Sequence, residues 1–322
     1  MSGDLENFAI LLSTTDSDLI KAQADAGDIL FMDETGVAKK IYHDIESYNQ
    51  ASGSLISWIN LPNLSSNENT TFYLYYGNPE CANQQRPEKT WNTNFKAVWH
   101  LNNNPTGTIL DSTLNHNYGT SHGGMTQSDL IDGKIGKCLH FDGSDDFIAL
   151  SYALVGQSGT IEAWINTNTE GEYKGILTKG QSYSNNAYFM FCILENGVGF
   201  YSRAVGYGEA NKVRSNTNVL STWHHVVGIS SGSLWSVYVD GQLESLVVTG
   251  GSNNGEWFNS FTGDTYSIGA LNRPGNGGFF NGYIDEIRVS SSIENLSWIS
   301  TEFNNQNNPS NFLAIGPEES GP

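Results

Sequence analysis

Positive charge is scarce in this chain. Only 15 of its 322 residues are Lys or Arg, against 34 Asp or Glu, which leaves a net charge of −19. That balance argues against nucleic acid or an anionic membrane surface as partner, because both are held through basic patches. It serves solubility, and it also suits a hard cation such as Ca²⁺, which takes oxygen ligands. Charged residues of both signs make up only 15% of the chain. Polarity therefore rests on Asn, Ser, Thr and Gly, residues of turns and strands more than of long helices. No apolar run approaches the ~18 residues that a membrane-spanning helix needs, so insertion into a bilayer is not expected. The opening "MSGDLENFAILLSTTDSD" is acidic, with a short apolar run, and does not read as a signal peptide. The closing "GPEESGP" reads as the start of a linker. Cysteine is nearly absent. Cys81, Cys138 and Cys192 are odd in number and lack the spacing of a metal knuckle. Cys138 in "KCLHF" and Cys192 in "FMFCIL" read as small buried hydrophobes in strands.

What the chain does have is aromatics, at 12%, and hydrophobics, at 38%, enough for folded domains rather than a disordered tail. Apolar and polar residues alternate in short runs. In "GTIEAWINT", Ile161, Ala163 and Ile165 fall on one face and Trp164 on the other. "SLWSVYVDGQLESLVV" is two alternating runs joined by Asp240-Gly241, a hairpin signal. Further turn pairs are expected at Asp132-Gly133, Asp142-Gly143, Asn196-Gly197 and Asn281-Gly282. Short strands with recurrent turns predict an all-β, antiparallel sandwich. Two helices are expected, "IENLSWISTEFNN" late in the chain and a shorter "SDLIKAQADA" near the start. The polar, proline-containing "NPECANQQRPEKTWNTN" marks a boundary, with a small β-rich domain over 1–93 and a larger one over 94–322.

The larger part resembles the laminin-G-like, concanavalin A-like jelly-roll family. The carriers occur in family order: "VWHLNNN", "DSTLNHNYGT", "CLHFDGSDDFIAL", "GTIEAWINT", "ILTKG", "STWHHVVGISSGSLWSVYVDGQL", "YSIGAL" and "FFNGYIDEIRVSSS". The smaller part resembles a bacterial and archaeal domain of unknown function that often precedes such a module. Its carriers are "GDILFMDETG", "HDIESYNQASGSLISWINLPNLSSNENTTFYLYYGNP" and the closing "ISTEFNNQNNPSNFLAIGPEE". This implies a jelly-roll sandwich behind a small β-sandwich-like domain, with a C-terminal strand packing back on the first domain. It also implies a module of a larger secreted or surface protein that binds glycans or proteins, often with Ca²⁺. Glucanases share the fold, so the fold alone does not decide the function.

Catalytic signals are weak. Jelly-roll glucanases show a Glu-x-Asp-x-x-Glu strand, whereas "GTIEAWIN" offers only Glu162, and strict alternation puts Asp285 and Glu286 of "IDEIR" on opposite faces. Glu286 then reads as a surface charge that meets Arg288. "GISSG" around Ser230 has the nucleophile pattern, but a strand follows it where a helix is required. His224 and His225 read as strand histidines, with Asp240 a strand away. A lyase would need a Tyr/His/Arg cluster, for which His225, Tyr238 and Arg203 are candidates.

For Ca²⁺, the resemblance implies Asp111 and Asp285 as ligands, with help from the loop near Asn117 and from the "FDGSDD" turn at Asp142. The alternative for Asp111 is an Asx-turn cap. For a glycan, exposed rings beside amides and charges are wanted. "GEWFNSF" and "NRPGNGGFF" offer Trp257, Arg273, Phe279 and Phe280, and Tyr173 and Tyr207 lie on other loops. The expectation is a non-catalytic carbohydrate-binding module with structural calcium. The alternatives are a protein-binding adhesion module and a polysaccharide hydrolase or lyase.

Overall fold

The structure, a computed structural model, describes residues 3–34, 39–151, 154–204 and 208–319, excepting the side chains of residues 172, 185 and 186. It divides into two compact units, Met1–Asn92 together with Ser300–Pro322, and Thr93–Ile299. Among the described residues, no helix is long and apolar enough to cross a membrane.

The first unit holds two three-stranded antiparallel sheets. In one, Ser54–Leu64 lies between Leu5–Thr15 and His43–Asn49; in the other, Leu30–Asp33 lies between Lys40–Ile41 and Phe72–Tyr75. The chain end returns here as the later turns of the helix Leu296–Asn307, not as the expected strand. Asn305 accepts from Leu11 N at 2.6 Å and donates to Leu11 O at 3.0 Å, so one amide satisfies both backbone groups of a strand residue. This helix is the one predicted. The other, "SDLIKAQADA", shrinks to a 3₁₀ turn, Ser17–Lys21, capped by Asp16. The Asp28 carboxylate takes Gln23 N at 2.7 Å and Gly77 N at 2.6 Å and draws the chain away from helical geometry.

In the second unit an eight-stranded and a nine-stranded antiparallel sheet enclose one core, the jelly-roll sandwich expected. Alternation explains the facing. Ile161, Ala163 and Ile165 enter the core while Trp164 does not, and Phe189, Phe191 and Ile193 enter it while Tyr188, Met190 and Cys192 form a separate cluster on the outer face. The hairpin at Asp240-Gly241 has φ of 49° and 75°, the two left-handed residues of a type I′ turn. Asn281-Gly282 is not a turn. It opens the strand Asn281–Ser290, and a Cβ on Gly282 would lie 2.3 Å from Asn166 O. The glycine serves close strand approach there, and turn chemistry is not involved.

Candidate functional site

The outer face of the nine-stranded sheet carries an open pocket of about 230 Å³, lined by Tyr173, Tyr188, Met190, Tyr201, Arg203, Leu271 and Arg273. Strand register builds most of it. Ser184–Glu195 pairs with Gly197–Arg203 so that Tyr188 lies opposite Arg203 and Met190 opposite Tyr201, and the next strand sets Lys212 opposite Tyr201. The rings touch. Tyr188 and Tyr201 meet edge to face at 5.0 Å, and Tyr173 lies 5.3 Å from Tyr201. Arg203 and Arg273 sit 5.1 and 5.3 Å from the Tyr188 centroid, and the Lys212 ammonium 4.8 Å from that of Tyr201. Burial, then a hydrogen bond with Tyr201, pushes the Tyr188 phenol far above its ordinary range, so it stays neutral.

Arg273 reaches the pocket from a loop closed by paired hydrogen bonds. Leu271 N donates to Gly277 O at 2.9 Å, Gly277 N to Leu271 O at 3.3 Å, and Arg273 N to Asn276 Oδ1 at 3.1 Å. A Cβ on Gly278, whose φ is 65°, would lie 2.3 Å from Tyr173 O, so the loop must carry glycine to pass there.

The structure thus brings together two residues expected to bind ligand, Tyr173 and Arg273, and leaves Phe279 half-buried in the same loop. Two others are corrected as exposed contacts. Trp257 is 1% exposed and Phe280 is fully buried, both inside the core. Trp257 lies 5.5 Å from Phe189 and 5.0 Å from Phe258, because the loop that carries it folds inward, pinned by the Lys179 ammonium donating to Phe258 O and Phe261 O. Tyr207 lies outside the described residues. Tyr188, Met190, Tyr201 and Leu271 were missed. The available signal was tyrosine in the register opposite phenylalanine, in "AYFMFCIL" and "GFYSR". Arg203 belongs to this pocket and not to a lyase cluster, since His225 and Tyr238 lie on the other sheet.

The four residues expected to hold calcium do not form one donor set. Asp111 Oδ1 accepts from Val98 N and Thr113 N, and Oδ2 from Asn117 N and Thr113 Oγ1, all at 2.7–2.9 Å. Burial pushes its carboxyl up, and these four bonds pull it back only in part. The Asn117 carbonyl is taken by Trp99 Nε1 at 2.7 Å. Asp285 Oδ2 accepts from Ile135 N at 2.9 Å beside Gly133, in another turn. Asp142 alone keeps acidic company. Its carboxylate and those of Asp145 and Asp146 converge within 4.8 Å, although Asp142 Oδ1 accepts from Ser144 N and Asp146 Oδ2 from Asp142 N.

Glu286 is corrected as a surface charge, being 2% exposed. It takes a left-handed φ of 51° at a register slip against Gly159–Thr167, a bulge that breaks strict alternation. Ile284, Ile287 and Val289 still enter the core, while Glu286 meets Arg288 at 2.8 Å, as expected, and His100 Nδ1 at 2.7 Å. Burial pushes the Glu286 carboxyl up, but His100 and Arg288 outweigh it and hold it below its ordinary value. Arg288 reaches Glu162 as well, at 3.4 Å. Asp240 is not a strand away from the histidines. The hairpin returns it to His224 Nδ1 at 2.8 Å and His225 N at 3.0 Å. Ser230 is the last residue of the strand His224–Ser230 and not a turn residue, and its hydroxyl donates to Gly255 O.

Residues 142–300 match the family model for the concanavalin A-like lectin/glucanases superfamily. The resemblance read from the sequence is thereby shown for that part of the chain. Residues 25–114 match a domain of unknown function (DUF2341), in the order the resemblance implied. No curated protein matches the chain. Among solved structures, domain 4 of AbnA, a GH43 extracellular arabinanase from Geobacillus stearothermophilus in complex with arabinotriose, aligns at 18% identity and a TM-score of 0.49, over 64% of this chain and 96% of that one. The Ruminococcus gnavus IT-sialidase CBM40 bound to alpha2,3 sialyllactose aligns at 18% and 0.37, over 45% and 82%. A Trypanosoma rangeli sialidase aligns at 16% and 0.47, over 71% and 35%.

Proposed function

We propose that this chain is a non-catalytic carbohydrate-recognition module of a larger secreted or surface protein, and that it binds sugar on the tyrosine pocket of the nine-stranded sheet. The observation that carries the reading is the packing of Tyr173, Tyr188 and Tyr201 into one outer surface with Arg203 and Arg273 against it. Sugar C–H faces lie flat on such rings, and guanidinium donors bond hydroxyl or carboxylate oxygens at their edge. Most of the pocket stands on paired strands, so the backbone beneath it is already ordered before a ligand arrives. Support for a non-catalytic role comes from the lining, in which none of the seven residues is acidic, whereas glycoside hydrolysis takes two carboxyls about 5–9.5 Å apart. The test is a glycan array with the wild type and Tyr201→Ala, run beside a reducing-end assay on every glycan bound. Binding lost in Tyr201→Ala, with no new reducing ends, is expected. Binding that survives the substitution would move the site elsewhere, and turnover would make the module an enzyme.

Calcium belongs to this reading as a structural ion. The donors present for it are Asp142, Asp145 and Asp146, whose oxygen character suits a hard cation.

A further inference from the structure

We infer that the ligand of the tyrosine pocket is a carboxylated sugar, its carboxylate carried by Arg203 and Arg273. This rests on the carbohydrate-recognition reading and narrows it to one chemical class. Two guanidiniums share a single ring, at 5.1 and 5.3 Å from the Tyr188 centroid. Folding has brought like charges together in a pocket with no acidic residue in its lining. Arg273 forms no ion pair with a carboxylate among the described residues, and its Nε is sheltered from water without an acceptor. A sheltered donor of fixed charge costs free energy unless a ligand supplies the acceptor. Lys212, over the adjoining Tyr201, adds a third cation to the same face. Against a net charge of −19, such a cluster is a local concentration of cations, to which anions are drawn.

The rings and the charges together select the class. A carboxylate alone would need no aromatic surface, and a neutral sugar would leave Arg273 without a counter-charge. A sugar acid answers both, its ring on the tyrosines and its planar carboxylate matched to the guanidinium fork, which a point charge would not require.

Full-length protein is titrated calorimetrically with oligomers of galacturonate, glucuronate and mannuronate, and with a sialylated oligosaccharide. Each is compared with its methyl ester, which keeps the shape and removes the charge, and a sulfated oligosaccharide is included. At least one free acid should bind about tenfold or more tightly than its ester, and weaken as salt rises from about 50 to about 500 mM. Arg273→Gln should erase the difference between acid and ester, and Arg273→Lys should keep part of it. Equal binding of acid and ester, or an acid preference untouched by Arg273→Gln, overturns the inference and leaves the sugar reading standing, since Tyr201→Ala still removes binding. Sulfated sugar preferred over every acid overturns the carboxylate. No binding of any glycan, on the array or here, overturns the sugar reading itself. The comparison of acid with ester uses the wild type, so a poorly folding variant does not blunt the test.

Discussion

Arg203 and Arg273 meet on the ring of Tyr188, one from the end of a strand and the other from a closed loop far along the chain. The ring that joins them is 4% exposed and packs with Met190, Cys192 and Leu194, so it is part platform and part foundation. Tyr201 is the cleaner probe. It is only half-buried, yet it touches Tyr173, Tyr188 and Lys212. Tyr201→Ala should weaken glycan binding by about 1–3 kcal/mol, the scale of one large contact at a recognition surface. Calorimetric titration against the glycan found on the array reads this directly, and a loss confined to melting temperature would contradict it.

Trp257 should behave in the opposite way. Its indole is enclosed by Phe189, Phe200 and Phe258. Trp257→Ala removes a large buried side chain and should cost about 3–5 kcal/mol of stability in urea unfolding. Any sugar affinity measured on the protein that remains folded should change little. A stable variant with lost binding would return Trp257 to the ligand surface.

What was legible in the chain were patterns decided by near neighbours. "GTIEAWINT" shows its buried face because Ile161, Ala163 and Ile165 repeat at the strand period, and Asp240-Gly241 names its own turn. What was hidden depends on partners distant in sequence. The bulge at Glu286 exists only against Glu162 and Trp164, and Asp240 reaches His224 only through hairpin register. Trp257 looked exposed because glycines and asparagines surround it, yet nothing local reveals that Lys179 ties its loop inward. The same limit concealed Tyr188 and Tyr201, which become a surface only when two strands pair.

Arg288 holds together the buried charges of the eight-stranded sheet. It is 1% exposed and serves Glu286 at 2.8 Å and Glu162 at 3.4 Å. Arg288→Met keeps much of the volume but leaves two buried carboxylates without their shared cation, Glu286 keeping only His100. Breaking a buried pair in this way costs about 3–5 kcal/mol. The variant should unfold at markedly lower urea than the wild type at pH 7, and should recover part of the difference near pH 4, where the stranded carboxyls take up protons.

Asp146 should make stability depend on pH and on calcium. Burial, and beyond it the neighbouring carboxylates Asp142, Asp129 and Asp145, raise its folded pKa from 3.8 to about 6. A raised carboxyl contributes its stability below the unfolded value and loses it as pH climbs through the folded one, here from roughly pH 4 to pH 6. Asp146→Asn does not titrate, so it should be the more stable protein at pH 7.5 and lose that advantage by pH 4. If calcium sits on Asp142, Asp145 and Asp146, millimolar Ca²⁺ raises the melting temperature of the wild type at pH 7.5 and not that of the variant, as mass action requires. Equal melting curves with Ca²⁺ and with EGTA, in protein shown by elemental analysis to be free of metal, would remove calcium from the proposal.

Asp111 separates a cap from a calcium ligand. Its two oxygens receive four donors from Val98, Thr113 and Asn117 and so pin the loop that follows the strand Phe95–Trp99. Asp111→Ala leaves three backbone N–H groups without their acceptor. A buried donor stranded in this way costs about 1–3 kcal/mol, and partial relaxation of the loop keeps the sum near the lower end, so a loss of at least about 2 kcal/mol is expected. For a unit of this size that lowers the melting temperature by roughly 4–8 °C. The loss should be the same in EGTA and in excess Ca²⁺, because the missing partner is a hydrogen-bond acceptor and not an ion. Asp111→Asn should fall between the two proteins, since its one amide oxygen still accepts while its NH₂ faces donors. A variant that matches the wild type in EGTA and falls behind only when calcium is added would show that Asp111 binds the ion after all.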